Sequence, residues 1–234
     1  MEQKIGAQKA AHTPGRFYGR FARFARLLLR TFSRRYEARV DAPETPAVYV
    51  CRHLNMHGPY TTLKWLPFQV HPFSLNVFFS DETAIRQYRE YTFSVRRGKP
   101  VKKFSLQAWI TGKVTVRLLR SFQAIPVYRD SQAIRTMRQA LKYLERGDSL
   151  IVWPDMRYTE TYEQPCEIYS GFLYLGELYK AKTGKELPFI PLYVDDEQHC
   201  ILQRPAMVVN HFQQEKEEAA LRMARAIDRQ EEAQ

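Results

Sequence analysis

Residues 47–51, Ala-Val-Tyr-Val-Cys, form an unbroken apolar run that passes straight into Arg52-His53-Leu54-Asn55-Met56-His57-Gly58-Pro59. A short apolar run closed by glycine and proline predicts a strand. The residues that follow place an imidazole at the strand's carboxyl end, the edge at which open α/β sheets build their sites. Ala124–Arg129, Val152–Asp155 and Phe189–Val194 repeat the arrangement, each a short apolar strand delivering a proline or a polar residue. Helical spacing fills the stretches between them. The chain therefore predicts a single α/β domain with a mixed sheet flanked by helices.

In order, the pattern predicts a strand at 47–51, a helix at about 58–66, a strand at 73–79, and a long, mostly helical, basic and aromatic insertion over 83–120. A strand at 124–128 then leads through Asp130 and Ser131, as helix caps, to a helix with Ile134, Met137, Leu141 and Leu144 on one face. Gly147 stops that helix before a strand at 149–153. A helix near 168–182 ending at Gly184, a strand at 188–194, a short strand near 200–202 and a charged helix from about 214 complete the chain.

With 234 residues and 44% hydrophobic content, one substantial core is expected rather than two. Three widely spaced cysteines and no C-x-x-C pair argue against a disulfide framework and fit a cytoplasmic setting. No run approaches the eighteen or so apolar residues that a spanning helix needs. The formal charge of +11 is uneven: residues 1–40 hold ten Lys or Arg against Glu2 and Glu37, and residues 86–120 hold ten against Glu90. Anionic partners are expected to meet those two stretches.

Within the first stretch, Phe17, Phe21, Phe24, Leu28 and Phe32 recur at helical spacing, with Arg16, Arg20, Arg23, Arg26, Arg30 and Arg34 mostly off their face and Pro14-Gly15 before them. This pattern divides the chain into a basic amphipathic segment, 1–40, and an α/β domain, 41–234. Phenylalanines flanked by arginines suit a helix lying in the headgroup region of an anionic membrane, which places the protein peripherally on the inner face of the cell membrane. A helix packed on the core with a solvated face is the other reading of the same spacing. Nucleic acid is not the expected partner, because no base-reading module accompanies the charge.

His53 is the candidate proton acceptor, being an imidazole at a strand end. His53 and His57 have the i, i+4 spacing of a zinc helix, and His71 could add a ligand. However, Leu54 stands where zinc helices carry glutamate, and Gly58-Pro59 would interrupt the helix, so no metal is expected. Cys51, inside an apolar strand, reads as core rather than nucleophile.

Taken together and in order, the four blocks resemble those of the glycerophospholipid acyltransferases, the family of the 1-acylglycerol-3-phosphate acyltransferases. The resemblance covers residues 47–194. It implies an enzyme at the membrane surface that moves a fatty acyl chain from acyl-coenzyme A or acyl carrier protein, as co-substrate and not as a bound cofactor, to a lysophospholipid or glycerol phosphate. The family's first motif is a histidine followed five residues later by an aspartate. Here the pair is His53 and Gly58, so the orienting group must come from elsewhere, with Asp155 first and His57 another possibility. The second block keeps the family's phosphate-binding arginine as Arg129. In the third, Trp153-Pro154-Asp155-Met156-Arg157 keeps the aromatic, the proline, an acid and, one place early, the arginine. The expected site is thus His53 and Asp155 as catalytic residues, with Arg129, Arg157 and His57 binding substrate. The basic insertion is a candidate dock for the acidic carrier. A lipid-binding protein of the same fold with impaired catalysis is the alternative implied by Gly58.

Overall fold

Every side chain of Val48–Cys51 is buried, because this strand (β2) lies in the middle of a sheet covered on both faces. That is why its sequence reads as a continuous apolar run instead of alternating. The protein is described here from a computed structural model covering residues 16–42, 44–95, 105–129, 131–156 and 166–228. The other strands are β1 (Glu37–Arg39), β3 (His71–Leu75), β4 (Ile125–Val127), β5 (Leu150–Val152), β6 (Phe189–Asp195) and β7 (Cys200–Gln203). They form one seven-stranded sheet in the order β1-β7-β6-β2-β5-β3-β4. The five strands from β6 to β4 are parallel. β7 runs antiparallel to β6, and β1 runs parallel to β7. The chain is therefore a single α/β domain with a mixed, mostly parallel sheet, as its alternation of elements predicts.

The two faces of β2 sort the core. Val48 and Val50, with Leu150, Val152 and Phe189, meet α5 (Ala133–Glu145), α6 (Tyr174–Thr183) and α7 (Phe212–Ala226). Tyr49 and Cys51, with Ile151, Ile190 and Leu192, meet Leu63, Trp65 and Leu66 at the end of α2 (His57–Trp65). Gly147 and Gly184 stop α5 and α6 with φ of 88° and 71°, values that favour glycine. Pro191 sits inside β6 without breaking it. Its carbonyl accepts Arg204 N–H at 3.0 Å on the β7 side, where the ladder has already ended at Leu192 opposite Gln203, so no bond to β2 is lost.

Three expectations are corrected. The strand placed at 73–79 spans 71–75 and gives way to a 3₁₀ turn over Asn76–Phe79. Thr136, Ala140 and Leu144 form the buried side of α5 with Met137 and Leu141 against the core, whereas Ile134 is 49% exposed. That helix begins after Gln132, not at Ser131, and Asp130 lies outside the described residues. Its link to β4 is Thr136, which accepts Tyr128 N–H and donates to Pro126 O. The insertion is a helical hairpin, α3 (Asp81–Arg86) continued by a π-helix to Val95 and returning as α4 (Ser105–Ser121). Residues 96–104, at the centre of its charge, lie outside the described residues.

The amino-terminal helix α1 (Arg20–Thr31) forms, with most of its large apolar residues outward and not packed on the core. Pro14 and Gly15, expected before it, lie outside the described residues. Tyr18 and Ala22 are buried, and two of the arginines follow them inward. Arg26 donates to Lys64 O and Leu66 O, and Arg30 donates to Lys64 O at 2.6 Å. Those carbonyls end α2, where orphan acceptors and the negative end of the helix dipole favour a cation. Arg30 also lies over Trp65 at 5.4 Å. Phe17 is turned inward, stacked on the buried His71 at 3.7 Å. Phe24, Leu27, Leu28 and Phe32 point away from the protein, with Phe32 81% exposed. On α4, Leu106, Trp109, Ile110 and Val114 are exposed as well. No helix among the described residues is long and apolar enough to cross a membrane.

Candidate active site at the carboxyl edge of the sheet

Parallel strands end together, so β2, β5 and β6, adjacent in the sheet, bring His53, Asp155 and Asp196 to one edge although they are far apart in sequence. His53 and Asp155 meet, but through the main chain, so Asp155 does not take the ring-orienting place expected of it. Asp155 Oδ1 accepts the His53 backbone N–H at 2.9 Å. The His53 ring is addressed locally: its Nδ1 accepts the Met56 N–H at 3.2 Å. An amide can only donate, so the neutral ring carries its proton on Nε2. In this turn His53 is set as a hydrogen-bond donor.

The turn itself is strained. Leu54, Asn55 and Met56 have φ of 41°, 49° and 80°, three successive non-glycine residues in the left-handed region. Such residues cost of order 1–3 kcal/mol each and persist where the surroundings over-determine them. Here Leu54 is buried, and Gly58 closes the turn by donating its N–H to His53 O at 3.2 Å. A Cβ on residue 58 would lie 1.8 Å from Arg52 O, so only glycine fits. An aspartate at this position would meet the same obstacle.

Behind the turn, Arg52 is buried, 1% exposed, between two carboxylates. Its Nη1 is 3.1 Å from Asp228 Oδ1, and its Nε is 3.7 Å from Asp155 Oδ2. Burial pushes the Asp155 carboxyl up, outweighing the His53 amide and the Arg52 guanidinium, which pull it down. Both cysteines near this acid remain thiols. Burial raises Cys51 well above the ordinary range and Cys166 to about 12, which removes the nucleophile reading of Cys51.

His57 opens α2, and its Nε2 lies 2.7 Å from Asp196 Oδ1. Tyr36, just before β1, donates its hydroxyl to the same oxygen at 2.7 Å. Burial and the Asp196 carboxylate raise the Tyr36 phenol, keeping it protonated as that donor. Arg129 follows β4 and lies over the Tyr169 ring at 4.7 Å. It is three strand spacings from β2, about 14 Å at the usual separation. Arg157 lies outside the described residues. His71 opens β3 at the opposite edge, held by Gln123 O at 3.0 Å and stacked between Phe17 and Tyr143, so it cannot join His53 and His57 around a metal.

Arg52, Asp228, Tyr36 and Asp196 were not singled out by the sequence reading. Asp196 carried a usable signal, a carboxylate just past an apolar strand, the same rule that marks His53. Arg52 carried a fainter one, a charge directly continuing a buried strand. No protein-family model matches this chain, and no curated protein or solved structure matches it either.

Proposed function

We propose that the protein transfers a fatty acyl chain from a thioester donor, acyl-coenzyme A or acyl carrier protein, to the hydroxyl of a lysophospholipid or glycerol phosphate at an anionic membrane surface. The observation that carries this reading is the delivery of His53 and Asp155 by neighbouring strand ends to one edge, joined at 2.9 Å. Acyl transfer to a hydroxyl needs a proton acceptor for that hydroxyl and a donor for the oxyanion of the tetrahedral intermediate. An imidazole-bearing turn fixed by a buried acid supplies the second through His53 Nε2–H. Arg129, exposed at the same edge, suits an acceptor phosphate, since a guanidinium offers a planar, bidentate donor set.

The outward face of α1 supports the membrane part of the reading. Phe24, Leu27, Leu28 and Phe32 make an apolar stripe flanked by the exposed Arg20, Arg23, Arg34 and Arg35. Each cation near an anionic surface contributes about 1 kcal/mol. Replacing Phe24, Leu28 and Phe32 together by serine is expected to weaken binding to vesicles containing phosphatidylglycerol by about 100-fold or more, since burying a large apolar side chain is worth about 1.5–3 kcal/mol. The fold should be unchanged, because these side chains touch little of it. Vesicle sedimentation at fixed salt reads the loss, and equal binding of both proteins would remove α1 as the docking face.

Catalysis is tested by thiol release from a long-chain acyl-coenzyme A, and in parallel from acyl carrier protein, with lysophosphatidic acid in mixed micelles. The acylated product is confirmed by mass. His53→Ala is expected to lower turnover about 100-fold or more through loss of the oxyanion donor. A second reading, a lipid-binding protein without turnover, is favoured by Gly58 in place of the motif aspartate. It predicts lysophospholipid binding by both proteins and thiol release by neither.

A further inference from the structure

Resting on that reading, the geometry points to His57, oriented by Asp196, as the general base that deprotonates the acceptor hydroxyl. The ring of His57 has a carboxylate partner on one nitrogen, whereas Nδ1 of His53 faces a main-chain amide. Asp196 Oδ1, 2.7 Å from Nε2, holds the proton on that nitrogen and leaves Nδ1 as the basic atom, with no hydrogen-bond partner among the described residues. His53 is arranged in the opposite sense, its Nδ1 taken by the Met56 amide. One turn therefore presents a donor imidazole and, four residues on, an acceptor imidazole.

The His57–Asp196 pair is assembled from separate elements. Asp195 Oδ1 accepts the N–H groups of Glu197 and Gln198 at 2.9 and 2.8 Å, which fixes the turn carrying Asp196. Tyr36 holds Asp196 from the β1 side, and its ring stands 6.1 Å from that of His57 and 5.3 Å from that of His199. Both members are open to solvent, at 36% and 54% side-chain exposure. An exposed ion pair of this kind contributes only about 0–1 kcal/mol to stability, so stability gives little reason for the arrangement.

In the step proposed, the acceptor hydroxyl oxygen bonds to the thioester carbonyl carbon while His57 Nδ1 takes its proton. The tetrahedral oxyanion, with His53 Nε2–H as a donor to it, collapses by breaking the carbon–sulfur bond. The proton then passes from His57 Nδ1 to the leaving sulfur, giving an ester and a free thiol.

The test uses the full chain with two readouts. In the thiol-release assay, His57→Gln is expected to lower kcat by 100- to 10,000-fold with the acceptor KM within about threefold, the range of a general base. Asp196→Asn should also lower kcat, because the ring loses the carboxylate that holds its proton on Nε2. Ring nitrogen NMR of the unmodified protein should show Nδ1 of His57 as the bare nitrogen and Nε2 as the protonated one, a preference that Asp196→Asn weakens. The inference is overturned if His57→Gln turns over within threefold of an active unmodified protein, or if the proton resides on Nδ1. No turnover by the unmodified protein with any donor overturns acyl transfer itself and the base assignment with it. That outcome is distinct, because in the first case the unmodified protein is active.

Discussion

Placing at position 58 the aspartate of the acyltransferases that the sequence resembles is expected to damage this protein instead of completing a motif. Gly58→Asp should lower stability by about 3 kcal/mol, the upper part of the range for overpacking a buried position. The clash is with backbone: the new Cβ would stand 1.8 Å from Arg52 O, an atom fixed at the end of β2, and 3.0 Å from its carbonyl carbon. Relief would require moving the start of α2, where Gly58 O accepts the Thr62 hydroxyl at 2.7 Å and Gly58 N–H holds His53 O. Gly58→Ala should cost nearly as much, since the obstacle is the Cβ and not the charge. Urea unfolding reads both as a drop in midpoint of roughly 1–2 M. A Gly58→Asp protein with an unchanged midpoint would show that the turn can rearrange to make room for the side chain.

Removing the guanidinium behind the turn should be at least as severe. Arg52→Met keeps most of the side-chain volume but removes the cation between the buried Asp155 and Asp228, and breaking a buried pair typically costs about 3–5 kcal/mol. Against a total of about 5–15 kcal/mol, that is a large fraction. The pH dependence has a definite sign. Burial already raises Asp155, and loss of the Arg52 guanidinium that pulls it down raises it further above its unfolded value. The folded state then holds more protons than the unfolded state in that window, so the stability of the variant rises as pH falls from 7 toward 5, narrowing its deficit. Adding Asp155→Asn and Asp228→Asn should recover much of the loss at pH 7, because a neutral side-chain amide at position 155 still offers an oxygen to the His53 N–H. A single variant within 1 kcal/mol of the unmodified protein at pH 7 would mean that the cluster is better solvated than its burial indicates.

Local pattern was enough for the sheet. The apolar runs at 47–51, 149–153 and 188–194 became β2, β5 and β6 within a residue or two, and Gly147 and Gly184 ended their helices where expected, because strand burial and left-handed caps are properties of a few adjacent residues. The same rule put His53 and Asp155 at one edge. β1, three residues of mixed polarity, has no such signature and exists only because Glu37–Arg39 can pair with Cys200–Leu202.

What the tertiary structure decided is which groups meet. Helical spacing in α1 gave two faces, but not which one turns inward. That was settled by the end of α2, whose carbonyls satisfy Arg26 and Arg30 and leave the phenylalanine stripe unpartnered. His57 reaches Asp196 across 139 residues, Arg52 reaches Asp228 across 176, and His53 reaches Asp155 across 102. Periodicity along the chain carries no information about such pairs. They depend on strand order, because only the sequence β6-β2-β5 brings those ends side by side. The tautomer of His53 and the exclusion of every side chain but glycine at 58 depend in turn on backbone angles that the left-handed turn imposes.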